Sequence, residues 1–96
     1  MSDEDQTLVP RAFIDIFVPP GAIKPTQPRE HIALRHELCE DLAQMLAEQV
    51  AAKTLGSGES RNDVVSRIRR GLLSDEAVVS EREAEWVVGR LVELLE

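Results

Sequence analysis

The sequence predicts an α+β fold that is mostly helical: one N-terminal β-strand followed by three helices. Three observations carry that expectation. Residues 12–23, AFIDIFVPPGAI, are the one stretch that reads as a strand. The apolar residues after it recur at three and four, the helical spacing. Aromatic residues are confined to Phe13, Phe17 and Trp86, so the core is built from Leu, Val, Ile and Ala, which suits helix packing.

Residues 1–9 carry Asp3, Glu4 and Asp5 in succession and read as a disordered arm, because chain ends fray unless something ties them down. Residues 10–96 then form a single small domain. Phe13, Asp15 and Phe17 alternate with Ile14, Ile16 and Val18, which gives a strand one aliphatic face and one face of two aromatics and a carboxylate. Pro19-Pro20-Gly21 ends it, since proline donates no ladder hydrogen bond and glycine permits the turn. A lone strand leaves its N–H and C=O groups without partners, so pairing between chains is expected.

The first helix is predicted over 29–54, opening near Pro28 with Thr26 or Gln27 as its cap. Leu34, Leu38, Leu42, Met45, Leu46 and Val50 make its apolar stripe. Arg35, Glu37, Glu40, Asp41, Gln44 and Glu48 take the other side, and Gly56 and Gly58 end it. A second helix over 60–73 has Ser60 or Asn62 as its cap and Val64, Val65, Ile68 and Leu72 as its stripe. It carries Arg61, Arg67, Arg69 and Arg70 against Asp63. Residues 74–79 read equally as a turn or a short strand. The third helix, 80–95, has the clearest start: Ser80 with Glu83 three residues on is a capping box. Residues 74–96 hold seven acids and two arginines, a net of −5, so the basic second helix and the acidic third are expected as antiparallel neighbours.

The whole chain carries a net charge of −7, which argues against nucleic acid and against an anionic membrane surface. No apolar run is long enough to span a bilayer, and the acidic opening MSDEDQ is the opposite of a secretory leader. A single cysteine, Cys39, makes no internal disulfide. These features point to a soluble, cytoplasmic, bacterial-like protein.

Phe13, Ile14, Asp15, Gly21 and the long helix after Pro28 resemble the opening of the tautomerase family, the small β-α-β proteins typified by 4-oxalocrotonate tautomerase. The resemblance implies a strand that pairs across subunits and a second strand after the helix. In that family a catalytic proline directly precedes the residue matched by Phe13; here Ala12 stands in that place. Tautomerase-like chemistry on a small carbonyl acid would use Pro10 after cleavage, or Asp15 as base, with Arg61 or Arg29 holding the substrate carboxylate.

His36 and Cys39, three apart on one helix, are two ligands and not a metal site, and Cys39 beside the stripe suits packing. His31 and His36 are five apart and do not share a helix face, which suits surface residues. Asp15 on an apolar face would be an acid or base; on an open edge it meets water or an arginine. The arginine cluster suits salt bridges to the acidic third helix. Trp86 suits an interface and a small core equally. No catalytic constellation, metal or cofactor is indicated. The first helix's long stripe needs more cover than two short helices give, so the sequence favours a non-catalytic interaction or accessory subunit that oligomerises through its N-terminal strand and amphipathic helices; its partner is itself, as a homo-oligomer, or an unidentified protein. Its interface residues would be Phe13, Ile14, Ile16, Phe17 and Trp86. The alternative is the tautomerase-like enzyme.

Overall fold

A computed structural model describes residues 9–74 and 76–96. The element order is α1 (Arg11–Ile14), a 3₁₀ turn (Asp15–Phe17), α2 (Arg29–Gly56), α3 (Arg61–Leu72) and α4 (Glu81–Leu95), with no strand among the described residues. The expected disordered arm falls outside the described residues except at Val9. Two compact units divide the chain, residues 1–38 and residues 39–96. Helix α2 runs unbroken through both ranges.

The N-terminal strand is the main correction. Residues 11–17 wind into a helical turn, and Pro10 takes the place before it with extended backbone. The Pro10 carbonyl accepts from the N–H groups of Phe13 and Ile14 at 3.0 and 3.1 Å, and the Asp15 carbonyl accepts from Val18 at 3.1 Å. The physical reason lies in pairing and burial. A single strand must import partners for its backbone, whereas a helical turn satisfies its N–H groups locally. Phe13 and Phe17 are four apart, a spacing that a strand and a helix both place on one face. Their rings meet at 5.7 Å in the helical arrangement. That contact and the complete burial of Phe13 outweigh the β-preference of Ile14, Ile16 and Val18. The α+β class, pairing through this strand and the tautomerase-like β-α-β order all fall with it.

The rest of the first unit follows from turn chemistry. The Pro19 carbonyl accepts from Ala22 N–H at 3.0 Å, and Gly21 at φ +82° takes the left-handed position that such a turn requires with Pro20 before it. The Phe17 carbonyl then accepts from both the backbone N–H and the hydroxyl of Thr26, at 2.8 and 3.2 Å. Pro28 gives α2 its first acceptor, for Ile32 N–H at 3.1 Å. The described residues of 74–79 include no strand: Ala77 N–H bonds to the Ser74 carbonyl at 3.1 Å.

The second unit is a helical assembly. Its core takes Cys39, Ala43, Leu46 and Val50 from α2, Val64 from α3, and Ala84, Val87 and Leu91 from α4, with Val79 on the approach to α4. Ser80 accepts from Glu83 N–H at 3.1 Å while the Glu83 carboxylate accepts from Ser80 N–H at 2.9 Å, so the capping box is closed in both directions. Ser60 caps α3 through Asp63 N–H at 3.4 Å. Helices α3 and α4 lie antiparallel: Arg69 near the end of α3 bridges Glu85 near the start of α4 at 2.6 Å. At the other end, Arg61 donates to the Leu95 carbonyl at 3.1 Å. A cation there also meets the negative end of the α4 dipole.

Helix α2 departs from the expected stripe. At about 100° per residue, Ile32, Cys39, Ala43, Leu46 and Val50 share one narrow arc, and all five are buried. Leu34, Leu38 and Met45 lie on the opposite side and are 65%, 39% and 50% exposed. The helix is apolar on two faces. Reading its large residues alone merges the two, and the small residues Cys39 and Ala43 that belong to the buried face go uncounted.

Candidate interaction surface

The exposed face of α2 is the feature that packing among the described residues does not account for. Leu34, Leu38, Met45, Ala52 and Leu55 fall within about 100° of arc on one unbroken helix. All five are exposed, Leu55 to 87%. Exposed apolar residues scattered singly are ordinary, but a stripe of them along six turns is not.

Four carboxylates accompany the stripe. Glu30, Glu37, Asp41 and Glu48 fall on one half of the same arc at intervals of seven, four and seven residues, and each is exposed. None of the four makes an ion pair among the described residues. Asp63, Glu76, Glu81 and Glu96 likewise make no ion pair among the described residues, but they are scattered over other segments, and other acids are paired. Glu40 is held by Arg90, Glu59 by Arg67 and Glu85 by Arg69, and Glu93 also meets Arg90. The Arg69 and Arg90 guanidiniums are held above their usual range, Arg69 by its hydrogen bond to Glu85, Arg90 by those to Glu40 and then Glu93. The Ser57 hydroxyl lowers the Glu59 carboxyl below its usual range, against some desolvation and with help from Arg67.

The residues singled out from sequence lie apart from this surface. Phe13 is fully buried, and Ile14, Ile16 and Phe17 are half-buried. Phe13 and Phe17 build a ring cluster in the first unit: Phe13 meets the edge of His36 at 5.2 Å, and Phe17 meets His31 at 5.9 Å. Both histidines are thereby engaged although they are five apart, because two different phenylalanines reach them. Trp86 is half-buried on α4. Pro10 stands before α1, Asp15 is exposed at the start of the 3₁₀ turn, and Arg29 is the exposed first residue of α2. The apolar strand face on which Asp15 would have sat does not exist. Arg61 lies in the second unit, committed to the Leu95 carbonyl.

A groove in the second unit, about 190 Å³, is lined by Gln49, Lys53, Val64, Arg67 and Ile68 and contains none of the four proposed catalytic residues. It is smaller than the roughly 300–1,000 Å³ of typical ligand pockets, and Arg67 is already neutralised by Glu59. No group of three or more His, Cys, Asp or Glu able to hold a metal occurs among the described residues, and Cys39 is buried. No helix among them is long and apolar enough to cross a membrane.

Sequence reasoning expected this helix to carry more apolar surface than the chain covers, but it did not separate Leu34, Leu38, Met45 and Leu55 from the buried face. The signal was present: their spacings of four, seven and ten repeat a helical face that does not contain Cys39, Ala43 or Val50. No family model matches the chain, and no curated protein and no solved structure matches it.

Proposed function

We propose that this chain is a small non-catalytic interaction protein that docks another polypeptide on the outer face of α2. The observation that carries this reading is the exposed stripe of Leu34, Leu38, Met45 and Leu55 on a helix whose opposite face already supplies the core. A helix needs one apolar face to fold against its own domain; a second face is explained by something that covers it. Helix-in-groove and helix-on-helix recognition both read anchors at this spacing.

The test is site-specific photo-crosslinking in the cells that make the protein. A photoreactive residue at position 38 or 45 gives discrete adducts, and the same residue at exposed position 70 on α3 gives none. Adducts at all three positions alike, or at none, overturn the reading. The mass of the adduct separates a second copy from a different partner.

A further inference from the structure

We infer that the occupant of the α2 face is a cationic amphipathic helix, one that sets apolar residues on Leu34, Leu38 and Met45 and lysines or arginines against the neighbouring acids. The inference rests on the reading above and adds the partner's chemistry.

The charge pattern selects it. Asp41 and Glu48 interrupt the apolar stripe itself, while Glu30 and Glu37 flank it, and all four lack an ion pair among the described residues. Covering the stripe takes these carboxylates out of water. A charge so desolvated is costly unless the covering surface supplies its counter-charge. A second copy does not supply it. Parallel pairing of two α2 helices sets Asp41 against Asp41 and Glu48 against Glu48 in the seam. Antiparallel pairing lays one acidic edge on the other. Of the basic residues of α2, Arg29, Arg35 and Lys53, only Arg35 stands where a parallel copy's Glu30 would reach it, and it leaves Asp41 and Glu48 in the seam facing their own copies. The chain's own first residues would add Asp3, Glu4 and Asp5. An anionic membrane surface is repelled by the same row of acids. A helix with an apolar stripe and a basic flank satisfies both features at once. It matches the net −7 of the chain, which speeds its approach.

Two synthetic peptides test this on the full chain. Both are 21-residue helices with leucine at the seam positions; one has lysine on its flanks and its twin has glutamate. Fluorescence anisotropy is expected to show the lysine peptide binding at least about tenfold more tightly than the twin. Replacing Glu30, Glu37, Asp41 and Glu48 by Gln together removes that difference. Leu38→Gln with Met45→Gln weakens the lysine peptide by about tenfold, and these exposed changes leave the circular dichroism spectrum intact.

Equal binding of the two peptides overturns the proposal. So does lysine-peptide binding that survives Leu38→Gln with Met45→Gln, which marks diffuse attraction to an acidic protein. A concentration-dependent dimer by light scattering that this same double variant dissolves gives the surface to a second copy instead. The two levels fail separately. If neither peptide binds while crosslinks at 38 and 45 persist, the charge assignment is wrong and the docking face stands. If those crosslinks are absent too, the docking face itself is wrong.

Discussion

Arg90 clasps Glu40 in a fork: its Nε lies 2.9 Å from Oε1 and its Nη2 3.0 Å from Oε2. The pair joins α4 to α2 within the second unit, across 50 positions of sequence. Gln44 also donates to Glu40 Oε2 at 2.8 Å, and Arg90 reaches Glu93 at 3.1 Å. Parallel hydrogen bonds fix orientation as well as charge, which a lysine ammonium cannot imitate. Arg90→Met is expected to cost about 1 kcal/mol of stability, since the pair is only half shielded from water. Arg90→Lys should recover little of it. Urea unfolding of Arg90→Met, Glu40→Gln and the double variant measures the coupling; a value of zero would mean that apolar contacts alone hold α4 to α2.

The two helix caps should differ in worth. Ser80 and Glu83 satisfy each other's backbone N–H groups, whereas Ser60 accepts one long bond of 3.4 Å from Asp63. Ser80→Ala is expected to destabilise the chain by about 1 kcal/mol, and Ser60→Ala by less. Thermal unfolding followed at 222 nm ranks them, and the reverse order would show that cap geometry does not set the energy here.

The two faces of α2 and the core of α4 predict opposite responses to truncation. Leu91 is fully buried and Leu55 is 87% exposed. Leu91→Ala is expected to cost about 2–5 kcal/mol, transfer and cavity together. Leu55→Ala should stay within about 0.5 kcal/mol in the isolated protein. Equilibrium unfolding in urea separates these values; a large loss at Leu55 would place it inside the fold and remove one end of the docking stripe.

Glu59 sets an acid limb. Its carboxyl is lowered first by the Ser57 hydroxyl, which lies 3.0 Å from Oε2 and shares its proton with the Lys53 carbonyl at 2.7 Å. A pKa that is lower in the folded state than in the unfolded one means stability that is fully present above the unfolded value. That value is about 4.3. The contribution is lost as pH falls through the lower, folded value. Ser57→Ala should move the Glu59 titration upward toward its ordinary position by carboxyl-detected NMR. The difference in stability between variant and wild type should vanish in strong acid. An ordinary pKa for Glu59 in the unmodified chain would remove the effect.

Much of the second unit was legible because its signals are local. Ser80 and Glu83 lie three residues apart and mark a helix start, and of the two caps open for α3, Ser60 and Asn62, Ser60 takes the place. The opposite charges of α3 and α4 indicated the antiparallel arrangement that Arg69 and Glu85 complete. What was illegible depended on distance or on ambiguity. Phe13 and Phe17 share a face in a strand and in a helix alike, so only Asp15 between them distinguished the two periods, and the β-branched neighbours outvoted it. On α2, large residues on opposite faces imitated one stripe. Nothing near Glu40 in sequence announces Arg90. The docking surface was legible only as an excess of apolar residues on the first helix: which of them face outward, Leu34 and Met45 among them, shows only once the buried positions are known.

The winding of residues 13–18 has a consequence for how this protein ages. FIDIFV is a hexapeptide of aromatic and β-branched residues with one charge and no proline, the composition of segments that stack into cross-β fibrils. Its N–H groups are occupied locally while α1 and the 3₁₀ turn persist, and Phe13 is sealed from water. Asp15 at its centre and Pro19-Pro20 just beyond it act as gatekeepers once it unwinds. Unwinding of residues 13–18 is therefore the local event that would bare a fibril-forming segment.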